Sequence, residues 1–350
     1  VLLGLGLECA ATDCVPYAEL PLRLAQGSAD LVLVRVGNRA APAQDAIRQA
    51  LPLTKGPVLA VGPTSNPHHI LETLHCGARE YLDEDKLQAT LETALNKLRA
   101  AGLVQHGNGR VVGVASATPG SGVTTLATNL AFLWGEEHRD RVALIELGRE
   151  AASLALNLDL DPRFTVADVA ANWQRLDVAF LRQSMTPHAG GVQVLAYKPE
   201  TLGVQPIEPA AVRKALILLR AAYRCSVLDL GHTFADEHFE AMRLCDVVAI
   251  VVRLDVPSLR QARKLLRLCA DKGVPRDRIR LVANRYGQRG QIPWRKAEEA
   301  IGAPFVEYLP EDSGKLNAAL NHGLPLVRYN RGGSLARRLA KLAQLLNRQG

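Results

Sequence analysis

A chain of 350 residues, 48% hydrophobic and 22% charged, has the make-up of a globular protein with room for two domains. No apolar run approaches the ~20 residues that cross a bilayer, which excludes a membrane-spanning helix. A net charge of +7 admits an acidic partner: nucleic acid, an anionic membrane surface or an acidic protein.

In chain order, Val1 to Glu8 lacks the basic region of a signal peptide and reads as a strand, so a cytoplasmic location is expected. Leu31 to Val34 and Pro57 to Val61 then read as buried strands, and Pro67 to Cys76 and Lys86 to Leu98 carry helical spacing. Such alternation predicts a parallel sheet with covering helices. A Gly-rich, polar, aperiodic stretch follows, which divides the chain into a domain at 1–100, a linker at 101–109 and a larger domain at 110–350. Beyond it, strands are expected at 111–115, 142–147, 192–196, 225–230, 247–253, 280–284 and about 305–308. The clearest helices fall at 124–134, 209–222, 258–272, 294–301 and 334–347. This is the pattern of a doubly wound α/β domain, whose ligands sit at the carboxyl ends of the strands.

Six scattered cysteines form no C-x-x-C pair and most lie in apolar runs, so they read as small core residues. The nine histidines show no ligand spacing, and His68-His69 reads as a helix start rather than a zinc pair. The basic excess gathers in Arg260 to Arg267 and in Arg328 to Arg348, both read as solvated helix faces.

The chemistry centres on Ala115-Ser116-Ala117-Thr118-Pro119-Gly120-Ser121-Gly122-Val123-Thr124-Thr125, between an apolar strand and an amphipathic helix. In the phosphate loop G-x-x-x-x-G-K-S/T, backbone N–H groups wrap phosphate, the Lys reaches the β/γ oxygens and the Ser/Thr hydroxyl meets Mg²⁺. Gly122 and Thr124 fit, whereas Val123 stands in the place of the Lys. The strand Cys225 to Leu230 ends in Asp229, the form of a Mg²⁺-supporting Walker-B carboxylate. The strand Leu281 to Asn284 ends in an amide that can pair with an adenine edge, a plain turn-forming Asn being the simpler reading.

With these parts in order, the stretch from about 110 to 350 resembles the MinD/ParA group of P-loop ATPases. Within it the chain resembles the CpaE/TadZ family of Flp (tight-adherence) pilus assembly proteins. The likeness also runs through Ala155 to Val169, Gly191 to Ala196, Cys245 to Val248, Pro257 to Arg263, Val282 to Gly287 and Leu309-Pro310-Glu311-Asp312. It implies an N-terminal receiver-like (flavodoxin-like) domain before the ATPase-like one, ATP and Mg²⁺ as ligands, a homodimer, and pilus assembly and secretion proteins as partners. Contact with the inner membrane or a cell pole, through those partners, is a further implication.

The group's KGGVGKT loop falls on Thr118 to Thr124, which puts Thr118 at the Lys that crosses a dimer interface and Val123 at the intramolecular Lys. The paired aspartates that activate water fall on Glu146 and Gly148. Thr118, Gly120, Ser121, Gly122, Val123, Thr124, Thr125, Asn284 and Pro310 are the implied nucleotide contacts, with Thr124 and Asp229 on Mg²⁺. One electrostatic contact to a transferring phosphoryl group is worth roughly 3 kcal/mol, so losing two cations costs about a thousandfold or more in rate unless Arg149 or another cation substitutes. Turnover is expected to be weak or absent. Backbone N–H groups and the helix N-terminus still attract phosphate, although Pro119 removes one donor.

The resemblance also places the receiver's phosphoacceptor Asp at Arg35, its Thr at Gly62 and its Lys at Glu84, so phosphotransfer is not expected and the domain reads as a docking surface. In the last helix Leu335, Leu339, Leu342 and Leu346 line one face. A basic amphipathic helix can lie on an anionic membrane, but this face lacks Phe and Trp, and packing against the sheet is the expected fate. The whole reads as a scaffold-like pilus assembly and localisation factor. An active ATP-driven switch cycling between monomer and dimer is the alternative. DNA binding ranks last because no DNA-reading module is visible.

Overall fold

The computed structural model describes residues 7, 9, 13–27, 29–37, 39–100, 103, 109–149, 152–198 and 206–347. The expected first strand and linker lie almost wholly outside them. Two compact units are present, residues 1–107 and 108–350.

In the first unit β1 (Val32–Arg35), β2 (Val58–Gly62) and β3 (Tyr81–Asp83) form a parallel sheet in that order. It is accompanied by α1 (Leu20–Gln26), α2 (Ala41–Ala50), α3 (Pro67–His75) and α4 (Leu87–Ala100). The arrangement fits a flavodoxin-like domain. Helix α3 starts where it does because the Asn66 side chain accepts from the N–H groups of His68 and His69, with Pro67 in the first turn. The paired histidines are thus the opening of a capped helix. Ile47 and Ala43 of α2 pack with Val34 and Val58 on one side of the sheet, and Leu91 and Leu95 of α4 pack with Leu59 and Leu82 on the other.

The second unit is built on eight strands: β4 (Arg110–Ala115), β5 (Val142–Glu146), β6 (Thr186–His188), β7 (Val192–Leu195), β8 (Cys225–Asp229), β9 (Val247–Arg253), β10 (Ile279–Tyr286) and β11 (Phe305–Pro310). Their order is β11-β10-β9-β4-β8-β5-β7-β6, parallel throughout except for the β6–β7 edge pair. Strands such as Val247-Val248-Ala249-Ile250-Val251-Val252 are covered on both faces and so read as unbroken apolar runs.

On one face lie α7 (Val166–Ala171), α8 (Val178–Ser184), α9 (Pro209–Ala222), α10 (Asp236–Leu244), α11 (Val256–Asp271) and α12 (Trp294–Ile301). On the other lie α5 (Val123–Glu137), α6 (Leu154–Asn157), α13 (Ser313–Asn321), α14 (Leu326–Tyr329) and α15 (Ser334–Asn347). The leucine face of α15 is fully packed: Leu335, Leu339, Leu342 and Leu346 are each at most 3% exposed, which removes them from any membrane. Much of the C-terminal basic excess is also spoken for. Arg338 and Lys341 pair with the buried Glu307, and Arg331 with Glu136.

Candidate functional site

The loop Ser116–Gly122 leaves β4 at the point where the sheet grows in both directions, with β8 on one side and β9 on the other. Ligands of open α/β sheets bind at such a switch point. The carboxyl ends of six strands therefore gather the candidate residues. These are Ser116 after β4, Glu146 on β5, Asp229 on β8, Arg253 on β9, Asn284 near the end of β10 and Pro310 on β11.

The loop holds its shape through its own hydroxyls and glycines. Gly120 and Gly122 take left-handed φ of 68° and 98°, and Gly122 caps α5 directly. Ser116 Oγ accepts from the Thr118 N–H at 3.2 Å, and Ser121 Oγ donates to the Thr118 carbonyl at 2.9 Å. Thr118 Oγ1 lies 2.8 Å from Ser121 Oγ and 3.4 Å from Ser258 Oγ, at the start of α11. The residue at the interface-crossing position is thus short and tied inward. Val123, at the intramolecular Lys position, is 8% exposed and belongs to the apolar core with Val112, Val114 and Leu126. Thr124 and Thr125 occupy the first turn of α5 and are half-buried.

Asn284 Nδ2 donates to the Ser121 carbonyl at 2.7 Å, so the amide anchors the phosphate loop to β10. A Cβ at Gly122 would meet that nitrogen at 2.5 Å, which makes Gly122 necessary twice over. The next residue, Arg285, has φ of 54° and donates to the Gly120 carbonyl at 3.1 Å. Pro310 lies in register with Tyr286, and the N–H of Glu311 donates to the Tyr286 carbonyl at 2.9 Å. Glu311 Oε2 is buried and has no hydrogen-bond partner among the described residues. It is an acceptor beside the strand end to which the resemblance assigns the base.

The positions to which the resemblance assigns water activation are Glu146 and Gly148. Glu146 is 1% exposed, and its carboxyl oxygens accept from the N–H groups of Ser153, Leu154 and Tyr197 at 2.9, 3.1 and 3.0 Å. Burial pushes its pKa up to about 7, the Tyr197 bond opposes this, and the neighbouring Asp229 charge adds to the rise. Gly148 lies against Gly231: a Cβ at Gly148 would fall 2.7 Å from the Gly231 Cα. No side chain fits there on this backbone. Asp229, 2% exposed, accepts from the Gly231 N–H at 3.1 Å. Arg149, the candidate substitute cation, lies 3.1 Å from the buried Glu237 of α10. Its neighbour His238 accepts from the Ala235 N–H and places Nε2 3.3 Å from the Leu147 carbonyl.

Sequence reasoning missed the loop-holding role of Asn284 and also Arg285, Glu311 and His238. The Gly148–Gly231 contact had a signal. Glu146-Leu147-Gly148 and Asp229-Leu230-Gly231 are matching tripeptides at the ends of adjacent strands. Among the described residues no cluster of His, Cys, Asp and Glu is arranged to hold a metal by itself.

No protein-family model matches the chain, and no curated protein sequence matches it. Solved structures do. A ParA family ATPase from Chlorobium tepidum is 24% identical, with a TM-score of 0.62 over 67% of this chain and 98% of that one. The septum site-determining protein MinD of Pyrococcus horikoshii, complexed with Mg-ADP, is 22% identical, with a TM-score of 0.58 over 68% and 96%. The MinC:MinD cell division protein complex of Aquifex aeolicus gives 19%, a TM-score of 0.58, and 69% and 96%. With the loop, the strand order and these likenesses together, the unit 108–350 has the fold of the MinD/ParA-like P-loop NTPases.

Proposed function

We propose that this chain is a nucleotide-binding scaffold: an assembly and localisation factor of the Flp (tight-adherence) pilus type that holds Mg·ATP without efficient hydrolysis. One observation carries the reading. The glycine-turned cradle of the phosphate loop is kept except for the one N–H that Pro119 removes, while every side chain assigned to hydrolysis is substituted or committed elsewhere. Left-handed Gly120 and Gly122 and the α5 N-terminus offer N–H groups to phosphate. Thr124 and Asp229 would hold Mg²⁺, and Asn284, Pro310 and Glu311 border the place of the base. When bound, Mg²⁺ would neutralise phosphate charge. Glu146 is 1% exposed with its oxygens turned to three backbone N–H groups, which holds it away from an attacking water, and Gly148 leaves no room for a second carboxylate.

The complex of MinD with Mg-ADP supports the ligand class, and the MinC:MinD complex supports docking to a protein partner. The pilus role rests on the sequence resemblance to the CpaE/TadZ family, as do the homodimer and the secretion-machinery partners. The receiver-like unit serves as a docking surface in this reading.

Phosphate release, measured beside light scattering with and without Mg·ATP, tests it. The expected result is a rate equal to that of Thr124→Ala and Asp229→Ala, with ligand changing the particle mass of the unmutated chain alone. Release well above both variants would establish the ATP-driven switch instead.

A further inference from the structure

The phosphate loop lacks both lysines of its group, yet a cation stands against it from outside the loop. Arg285 follows Asn284 at the end of β10, and its guanidinium Nη2 donates to the Gly120 carbonyl at 3.1 Å. Two other arginines at strand ends of the second unit, Arg149 after β5 and Arg253 on β9, are engaged by acids. Arg149 pairs with Glu237 at 3.1 Å and Arg253 with Asp255 at 2.8 Å. No ion pair engages Arg285 among the described residues.

The backbone shows that this placement is imposed. Arg285 sits at φ of 54°, a region that costs an ordinary L-residue about 1 kcal/mol or more. It is held there because Asn284, one residue earlier, is fastened to the Ser121 carbonyl at 2.7 Å. The end of β10 is therefore stapled to the loop at Ser121 and again at Gly120. A guanidinium carries five N–H donors, and one bond to a carbonyl leaves the fork able to meet phosphate oxygens.

On the nucleotide-binding reading above, on which this depends, we infer that Arg285 is the phosphate-binding cation of this site. It supplies, from β10, the charge that Thr118 and Val123 no longer carry, and it makes the site selective for nucleoside polyphosphates over monophosphates.

Calorimetric titration of the full chain with Mg·ATP, Mg·ADP and AMP tests this on the unmutated protein, Arg285→Ala, Arg285→Gln and Arg285→Lys, with a melting temperature taken for each. Losing a charge-assisted bond weakens Mg·ATP about tenfold or more. The expected pattern is that loss for Arg285→Ala and Arg285→Gln, a smaller one for Mg·ADP, little change for AMP, and partial recovery in Arg285→Lys. A mere staple on Gly120 would weaken all three ligands alike, or none, and either result overturns the assignment. Should Arg285→Ala fail to fold, the contrast of Gln with Lys decides, since both offer a donor and only Lys keeps the charge. Unmutated protein that binds none of the three ligands would overturn the nucleotide reading and this assignment together. Binding that is indifferent to residue 285 would overturn this assignment alone.

Discussion

The two units differ at the positions where the resemblance places phosphate chemistry. In the first unit the positions that resemble a receiver's site have closed on themselves. Arg35 reaches Glu84 at 3.4 Å, and the Tyr81 hydroxyl donates to the Pro63 carbonyl at 3.1 Å. A Cβ at Gly62 would fall 2.6 Å from that hydroxyl and from the Val36 carbonyl. In the second unit the loop keeps left-handed Gly120 and Gly122, its helix and the buried Asp229, although Thr118, Pro119 and Val123 stand where the resembling group has Lys, Gly and Lys. A receiver's site is made of side chains, so the three residues at the positions the resemblance implies are enough to rule such a site out. A phosphate loop is made chiefly of backbone N–H groups, so side-chain substitution weakens it and leaves the cradle.

Several changes would break or sharpen that contrast. The largest effect belongs to Glu146, the one carboxyl of the second site that burial has taken out of chemistry. It ionises at about pH 7 when folded, against 4.5 for a free glutamate, so the folded chain holds an extra proton between those values. Its contribution is fully present below pH 4.5 and is lost as pH rises through 7, by about 3 kcal/mol in all. Denaturant melts between pH 5 and 8 should show stability falling with pH, and Glu146→Gln should flatten the slope.

Next comes Gly148→Asp, which restores a carboxylate where the backbone of Gly231 already lies. Overpacking should destabilise the chain by about 2 kcal/mol, lowering the melting temperature several degrees, with phosphate release still at background. Gain of turnover would show that the strand ends are looser than described.

Val123→Lys separates the two kinds of site more directly. A Lys whose side chain leaves the apolar packing of Val123 for the loop should tighten Mg·ATP about tenfold. The matching repair of the first unit, Arg35→Asp with Gly62→Thr and Glu84→Lys, should yield no phosphorylation by acetyl phosphate, because Tyr81 and Val36 crowd the restored Thr. Phosphorylation of that triple variant would erase the distinction. The smallest effect is expected from Arg35→Ala. Its ion pair is largely solvated, and the loss in a denaturant melt should stay under about 1 kcal/mol.

Much of this was legible in the chain, and the exceptions have physical causes. Strands such as β8 and β9, covered on both faces, announce themselves as apolar runs, and the loop residues stand in one contiguous stretch. Helix α10 did not, because its buried face carries Glu237, His238 and Glu240 in place of apolar residues, so the 3.6-residue period is masked. Edge strand β6 was hidden by Pro187, which a strand tolerates only at such an edge. The left-handed Arg285 was beyond reach, since nothing in Asn284-Arg285-Tyr286 marks a positive φ. Asn284 was read for its amide, which was sound chemistry, but the loop carbonyl it serves lies 163 residues away.

Whether the phosphate loop still holds a nucleotide without its group's two lysines is decided most directly by titrating Mg·ATP into the full chain in a calorimeter. A saturable heat for one site per chain, abolished in Thr124→Ala or Asp229→Ala, is the predicted result. A flat titration would contradict the account and leave the fold kept for its surfaces alone.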